Sequence, residues 1–288
     1  MILLLLCIIV NAFIGVIFKY FERFEVDVFP AIVANYFVCA LTGSIFLGEI
    51  PFDSSTLSQS WFPYALLLSG TFIGTFVLMA LTVQGFGIVV ATIFQKMSLL
   101  APAIIGIIAY QEPVGWLKVV GILIAIVSIF AITKTDQNEA EKNQYSKWIF
   151  PVVVFFGSCI IDTLLYYINV NNIVDSGDIR FVITLFFLAG IIGLFFLIFK
   201  IIRGQARINQ KSIIAGISLG VPNFFSIYLL VLVLSKGMDG SVVFPINNVG
   251  ILAFSAIFGL ILFNEKLGKV KSAGLLMAIA AIMMIAYG

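Results

Sequence analysis

The sequence contains no histidine, and only 10% of its 288 residues are charged. Without histidine, the chain lacks the commonest metal ligand and the side chain best suited to carry protons near neutral pH. A soluble domain is about 25% charged, so little of this chain is expected to face water. The formal net charge is only +2, whereas nucleic-acid-binding domains carry a strongly basic surface. We therefore expect no nucleic-acid partner.

Cysteine and recognisable catalytic motifs are also scarce. Cys7, Cys39 and Cys159 all lie in apolar runs, where a free cysteine behaves as a small buried hydrophobe. No CxxC, GxxxxGK[ST] or HExxH motif occurs, which gives no support to an ATP-driven pump or a metal-dependent hydrolase of the soluble type. The usual acid–base residues are missing as well. We expect no cofactor, no metal and no enzymatic activity.

The sequence is rich in long apolar runs. Apolar residues make up 62% of the chain, and its mean hydropathy is +1.17. A helix needs about twenty such residues to cross a bilayer. Ten runs approach that length, and they are Ile2–Phe18, Pro30–Leu47, Trp61–Val83, Gly87–Ala109, Val114–Ile132, Trp148–Val170, Arg180–Ile202, Ile213–Leu234, Ser241–Phe263 and Val270–Tyr287. We predict an all-α integral membrane protein with ten transmembrane helices in a lipid bilayer.

The two halves of the chain carry the same pattern. When residues 87–132 are shifted by 153 positions onto residues 240–285, eighteen of the 46 pairs are identical without a gap. Apolar composition alone would not align glycines and charged residues at one shift. The pairs of this kind are Gly87/Gly240, Gly106/Gly259, Glu112/Glu265, Gly115/Gly268, Lys118/Lys271 and Gly121/Gly274. The chain is therefore predicted to be an internal repeat.

The repeat predicts two five-helix units, residues 1–133 and 148–288, joined by a hydrophilic linker at 134–147. Because five is odd, the second unit crosses the membrane in the opposite sense to the first. Inverted repeats of this kind underlie many secondary transporters, which bind their solute near the midplane between the halves. Two GxxxG pairs, Gly70/Gly74 and Gly216/Gly220, predict close helix packing.

Each half also contains a helix that ends in glutamate and is followed by the pattern GxxxxxGxxxAI, from Gly115 to Ile126 and from Gly268 to Ile279. In a chain of this length, the two copies resemble the drug/metabolite transporter superfamily, and within it the ten-helix, EamA-type branch. The resemblance covers nearly the whole chain. It implies a carrier that moves amino acids, other metabolites or xenobiotics, often out of the cell. The motifs are structural, so they do not name the substrate.

Lys96 lies close to the middle of the fourth apolar run. An ammonium at membrane depth costs at least about 2.5 kcal/mol, so Lys96 is expected to face a cavity, a partner or a ligand. Pro102 removes a backbone donor nearby and should weaken the helix there. The alternative is that Lys96 reaches the membrane surface with its long side chain. That surface is roughly 13 Å away along the helix, which is far for one side chain.

Asp162 is the one acidic residue deep inside an apolar run. Lys96 and Asp162 either form a structural ion pair or bind the two ends of a zwitterion. In the second case Lys96 binds a carboxylate, and Asp162 binds an amine or a coupling proton. At a shift of 151 residues, Asn11 is the approximate repeat counterpart of Asp162.

The repeat shift places Gln95 onto Asn248. Gln95 and Lys96 are therefore predicted to oppose Asn247 and Asn248 across a shared space, with Pro245 breaking the ninth helix just before the asparagines. Interhelical hydrogen bonding is an equally good explanation of the two asparagines. The predicted substrate-binding residues are Lys96, Gln95, Asp162, Asn11, Asn247, Asn248, Tyr166, Asn223 and Tyr228. The tyrosines would shield a solute or stack on a cationic one, or simply pack.

We expect a secondary transporter that moves a small metabolite, such as an amino acid, by alternating access, with export the expected direction. The alternatives are a carrier of cationic amines or xenobiotics and a membrane channel, although no filter motif is present. A coupling proton or ion is left open, as is the choice between monomer and homodimer. Twelve Lys and Arg follow odd-numbered apolar runs and three follow even-numbered ones. The positive-inside rule then places both termini outside the cytoplasm, in what we expect to be the bacterial cytoplasmic (inner) membrane.

Overall fold

A computed structural model describes residues 2–51, 56–133, 148–175, 178–236, 240–265 and 268–287. The α-helices are α1 (Ile2–Arg23), α2 (Val28–Leu47), α3 (Phe62–Phe86), α4 (Ile88–Lys96), α5 (Leu100–Ala109), α6 (Trp116–Thr133), α7 (Ile149–Val170), α8 (Ile179–Ile202), α9 (Gln210–Ser235), α10 (Gly240–Phe263) and α11 (Lys269–Tyr287). Short 3₁₀ turns cover Thr56–Ser58 and Met97–Leu99. The predicted linker at 134–147 lies outside the described residues.

The described helices are those of an integral membrane protein. In the described ranges, nine helical segments are long and apolar enough to cross a membrane, if α4 and α5 are counted together as Ile88–Ala109. The apolar part of α6, Trp116–Ala131, is shorter. The described part of the chain contains helices and no strand, which confirms the predicted all-α class. The crossing number of ten stays a prediction.

Polar side chains fix the starts of three helices. Asp27 accepts a hydrogen bond from the Phe29 amide before α2, and Asp178 accepts one from the Arg180 amide before α8. Asn209 does the same for the Ser212 amide before α9. Such caps satisfy amides that the first turn of a helix leaves without partners. The helix ends therefore lie where the apolar runs give way to short polar side chains.

Contacts between distant residues define the two ends of the bundle. At one end, Phe86 packs on Trp148 with ring centroids 4.5 Å apart, and Tyr20 packs on Phe263 at 5.3 Å. We call this end the Glu265 face, because Glu265 follows Phe263. At the opposite end, Arg180 pairs with Glu49 and Tyr166 bonds to Glu112, and we call it the Glu112 face. Most described basic residues flank helix ends at the Glu265 face, namely Lys19, Arg23, Lys200, Arg203, Arg207, Lys211, Lys269 and Lys271.

Helices of the two halves pack directly against each other. The largest contacts join α6 with α11, α2 with α9 and α8, α1 with α9 and α10, and α3 with α7 and α8. Gly216 allows the close approach of α9 to α2, since an added Cβ would lie 2.5 Å from the Ala34 Cβ. At Gly220 it would lie 2.6 Å from the Val38 Cβ. The close-packing prediction is confirmed for this pair and is wrong for Gly70 and Gly74, whose added Cβ would meet nothing within 4 Å.

Two details of the predicted helices are corrected. Helix α3 extends beyond the predicted apolar run Trp61–Val83 to Phe86, and the chain turns at Gly87, where φ is +90°. A Cβ is poorly tolerated at that φ, so glycine suits the position. Pro245 does not break α10, which is continuous from Gly240 to Phe263. Pro245 lies in the second turn from the helix start. Its missing N–H leaves one carbonyl of the first turn without a helical partner, and the turns after it are unaffected.

Candidate functional site

The fourth apolar run is interrupted near its middle. Helix α4 ends at Lys96, a 3₁₀ turn covers Met97–Leu99, and α5 begins at Leu100. Pro102 has no N–H to donate to the carbonyl of Ser98, and its ring crowds that carbonyl, so the α-helical ladder fails four residues before the proline. The prediction that Pro102 weakens the helix beside Lys96 is confirmed. A short 3₁₀ segment inside a longer helix often marks a functional site.

The break lies where α4 crosses α10. An added Cβ at Gly259 would lie 3.5 Å from Val89, and the Thr92 hydroxyl donates to that of Ser255 at 3.2 Å. As residue numbers rise along α4, they fall along α10, so the two helices are antiparallel. Continuing this register places the 3₁₀ turn opposite the residues around Gly250. Lys96 therefore lies at the centre of the contact between the halves.

Asp162 of α7 faces this break. The Ser98 hydroxyl donates to Asp162 Oδ2, and α7 packs along the 3₁₀ turn. Hydrogen bonds to a charged group are worth more than neutral ones, so Ser98 helps to keep a carboxylate in the bundle interior. The sequence prediction missed Ser98. Ser98 could have been predicted from its position, two residues after Lys96 and in the turn before Pro102.

Lys96 is not ion-paired with Asp162. The ion pairs among the described residues are Lys19–Glu22, Lys118–Glu112 and Arg180–Glu49. The half-buried Lys96 side chain makes no hydrogen bond within the described part of the chain, although it lies within electrostatic range of Asp162 and Cys7. The structural ion pair is therefore absent, and no described side chain contacts the ammonium with an opposite charge. Its place at the end of α4 is favourable, because the last carbonyls of a helix attract cations.

Helices α1 and α10 provide further polar groups. The Cys7 thiol lies 3.2 Å from the Ser226 carbonyl oxygen and 3.5 Å from Asn247 Oδ1, and its single proton can be donated to either. Asn247 is buried, so it connects α10 to α1 as interhelical hydrogen bonding predicts. Asn11 lies one turn beyond Cys7 on α1, on the same side of the helix. Cys7 was expected to act as a buried hydrophobe, and it is buried but also takes part in this polar contact.

Three half-buried amides complete the cluster. The side chains of Gln95, Asn11 and Asn248 are partly exposed and make no hydrogen bond with described residues. In a membrane interior, a polar group without a protein partner must meet water or a ligand, because lipid tails offer neither donor nor acceptor. We define the midplane cluster as Lys96, Gln95, Ser98, Asp162, Asn11, Asn247 and Asn248.

Tyr166, although predicted to bind substrate, lies at the Glu112 face. Its hydroxyl donates to Glu112 Oε1 at 2.6 Å, and Lys118 Nζ donates to Glu112 Oε2 at 3.0 Å. The hydrogen bond from Tyr166, followed by that from Lys118, lowers the pKa of the Glu112 carboxyl. The structure thus gives Tyr166 a partner outside the midplane cluster.

Asn223 and Tyr228 also lie outside the midplane cluster. The Asn223 amide donates to Asn35 Oδ1 at 3.2 Å, within the α2–α9 contact. Tyr228 stacks on Phe224 with ring centroids 5.8 Å apart. It also lines a groove of about 490 Å³ between α1 and α9, whose other lining residues, Leu6, Ile9, Val10, Phe13, Val221, Pro222, Phe225 and Leu229, are apolar. Both residues have contacts that packing alone explains.

Comparison with known proteins gives one similar chain and no family. No protein-family profile matches this sequence. A protein of Haemophilus influenzae described as uncharacterized is 26% identical over 291 aligned residues, which cover 99% of this chain and 97% of that protein. The similarity extends along nearly the whole of both chains. The description names no substrate or reaction.

Proposed function

We propose that this chain is a secondary transporter that moves a small polar or amphipathic metabolite, such as an amino acid, by alternating access. One observation carries the proposal. The fourth apolar segment tightens to a 3₁₀ turn at the centre of the bundle, and Lys96 at that turn has no ion-pair partner in the described structure. A 3₁₀ stretch inside a longer helix often marks a functional hinge, and inverted-repeat transporters bind their solutes near the midplane between the halves. An intramembrane ammonium marks a solute path more often than a structural element.

The proposed architecture has ten membrane helices arranged as two inverted repeats, residues 1–133 and 148–288. The packing supports it, because exchanging the halves maps one set of helix contacts onto another. The α1–α9 contact corresponds to α3–α7, the α2–α9 contact to α3–α8, and the α1–α10 contact to the packing of α4 and α5 on α7. Contacts α2–α8, α4–α10 and α6–α11 map onto themselves.

The turn after each repeated helix supports the same arrangement in detail. The Glu112 amide donates to the Gly106 carbonyl at 3.1 Å, and the Glu265 amide donates to the Gly259 carbonyl at 2.9 Å. The preceding residues, Gln111 and Asn264, have φ values of 53° and 51°. Non-glycine residues seldom adopt positive φ, so the shared value is a specific resemblance between the halves. On these grounds we propose membership of the EamA-type branch and a transporter without enzymatic activity.

The cluster favours a zwitterion with a carboxylate. Lys96 supplies an unpaired ammonium, and Gln95 and Asn248 supply amides that both accept and donate hydrogen bonds. Asp162 accepts one hydrogen bond from Ser98, and a carboxylate has room for further donors, such as the amine of the solute or a coupling proton. A cationic amine without a carboxylate would leave Lys96 unpaired and be repelled by it. The amine carrier is therefore the weaker alternative.

Thermal-shift screening of the purified protein tests the function directly. A solute that binds the folded state raises its melting temperature, so neutral amino acids, simple amines and cationic drugs are screened side by side. Solutes that stabilise the protein are then tested for counter-flow in proteoliposomes. We expect saturable counter-flow of a zwitterion. Flux without saturation or counter-flow would indicate a channel, and stabilisation by amines alone would favour the amine carrier. Fractionation of the native host should place the protein in the cytoplasmic membrane.

A further inference from the structure

Glu265 and Glu112 occupy equivalent positions in the two halves but have different partners. Glu112 accepts hydrogen bonds from Lys118 and Tyr166. Glu265 instead reaches across the halves to the start of α4, where its Oε1 accepts a hydrogen bond from the Ile88 amide at 2.9 Å. A carboxylate at a helix N-terminus is stabilised both by the free amides of the first turn and by the helix dipole.

Glycine makes the Glu265 contact possible. A Cβ added to Gly87 would lie 2.8 Å from both Glu265 carboxylate oxygens, and one added to Gly259 would lie 2.7 Å from Oε2. Helix α1 also approaches α4 here, since a Cβ added to Gly15 would lie 2.7 Å from Ile88. Helices α1, α4 and α10 therefore meet tightly at the Glu265 face.

The seam between α4 and α10 is chemically different on its two sides. Towards the Glu265 face, the Thr92 hydroxyl donates to that of Ser255 at 3.2 Å, and both residues are buried. The repeat shift maps Thr92 onto Pro245 and Ser255 onto Pro102. On the Glu112 side, the corresponding positions are therefore two prolines, which have no hydroxyl to pair. The hydrogen bond that joins the halves can form on one side only.

Burial follows the same division. All residues of α4 from Ile88 to Phe94 are buried, and α4 packs against α3, α7 and α10. In α5, which continues to the Glu112 face, only Leu100 and Gly106 are buried. Helix α5 packs chiefly on α7, and α10 is not among the helices that it contacts extensively in the described structure. On the Glu265 side of Lys96 the helix is therefore enclosed by its neighbours, whereas on the Glu112 side most of its surface is not covered by described helices.

We infer that the contact of Glu265 with the start of α4 is a releasable latch that closes the Glu265 face. The structure then represents the state that is closed at the Glu265 face. The Thr92–Ser255 hydrogen bond holds the same seam one layer deeper. This inference rests on the proposed function, because two alternating states give a latch its purpose. Lys271 and Lys19 line the same small pocket as Glu265, so a released carboxylate has basic side chains close by.

Hydrogen–deuterium exchange of the full-length protein in nanodiscs tests the latch without any solute. Two variants weaken the seam independently, Glu265→Gln and Thr92→Val. The matched controls are Glu112→Gln at the other face and Thr71→Val, whose hydroxyl bonds only within α3. Removing a charge from a helix start should raise exchange roughly two- to five-fold, and removing one hydrogen bond should raise it about five-fold.

The location of the change separates a latch from a simple helix cap. For a latch, exchange rises together in α4, in the second half of α10 and in the end of α1 near Gly15, in both seam variants and in neither control. A rise confined to the first turn of α4, no rise, or unfolding of both seam variants would overturn the inference. Lys96→Met should leave the exchange pattern unchanged. Normal transport by Lys96→Met would therefore count against the proposed solute site and leave the latch untouched.

Discussion

Replacing Lys96 with methionine separates a solute receptor from a structural charge. Lys96→Met keeps the long apolar stem and removes the ammonium. Because no ion pair joins Lys96 to Asp162, and Asp162 already accepts a hydrogen bond from Ser98, the change leaves no broken pair behind. Breaking a true buried pair would cost about 3–5 kcal/mol. We therefore expect a melting temperature that is unchanged or raised, since inserting a charge costs about 2.5–3.5 kcal/mol.

Transport should respond very differently from stability. A hydrogen bond to a charged group contributes about 1.5–3 kcal/mol, and about 1.4 kcal/mol corresponds to a factor of ten. If Lys96 binds the carboxylate of the solute, uptake efficiency should fall roughly ten- to a hundred-fold. The assay is counter-flow of the solute found by thermal shift, in proteoliposomes that contain equal amounts of protein. Lys269→Met, at the exposed start of α11, is the matched control and should transport normally.

The double variant Lys96→Met with Asp162→Asn completes the test. If the two side chains only balance each other's charge, Lys96→Met should destabilise the protein, and the double variant should recover both stability and transport. If Lys96 is a receptor, the single variant is stable and inactive, and the double variant stays inactive. Normal counter-flow in Lys96→Met or in the double variant would refute the receptor role.

Four further predictions address stability and organisation. The pKa of Glu112 is lowered in the folded protein, so its contacts stabilise the fold fully above pH 4.5, and this stabilisation is lost as the pH falls below that value. Glu112→Gln should therefore make the melting temperature less dependent on pH in the acid range. Thr184→Val should raise the melting temperature, because the buried Thr184 hydroxyl has no partner in the described structure. Gly216→Ala should cost about 1–3 kcal/mol by overpacking α9 on α2, whereas Gly70→Ala, which meets nothing within 4 Å, should be tolerated. A short Gly/Ser insertion after Asn138, beyond the described residues, should leave counter-flow intact, because the segment has few apolar residues to bury.

The amino-acid sequence by itself determined the class of the protein and the course of most helices. Apolar runs of membrane-spanning length leave a helix as the way to satisfy backbone groups in lipid, so hydropathy alone placed nearly every helix. The same local chemistry located the break at Met97–Leu99, since Pro102 acts on the carbonyl four residues before it. Lys96 and Asp162 were identifiable because a charged side chain in an apolar run is costly wherever it faces.

Only the tertiary structure decided which of these side chains meet. The pairing of Asp162 with Ser98 instead of Lys96 depends on how α7 rotates against the 3₁₀ turn, and no local pattern reports that rotation. Tyr166, Asn223 and Tyr228 are polar or aromatic residues of apolar helices, yet partners on other helices place them outside the midplane cluster. Glu112 and Glu265 are equivalent in sequence, and their local turns are the same. Their different partners arise because the two halves pack differently at the two faces, which is a property of the whole bundle and not of either segment.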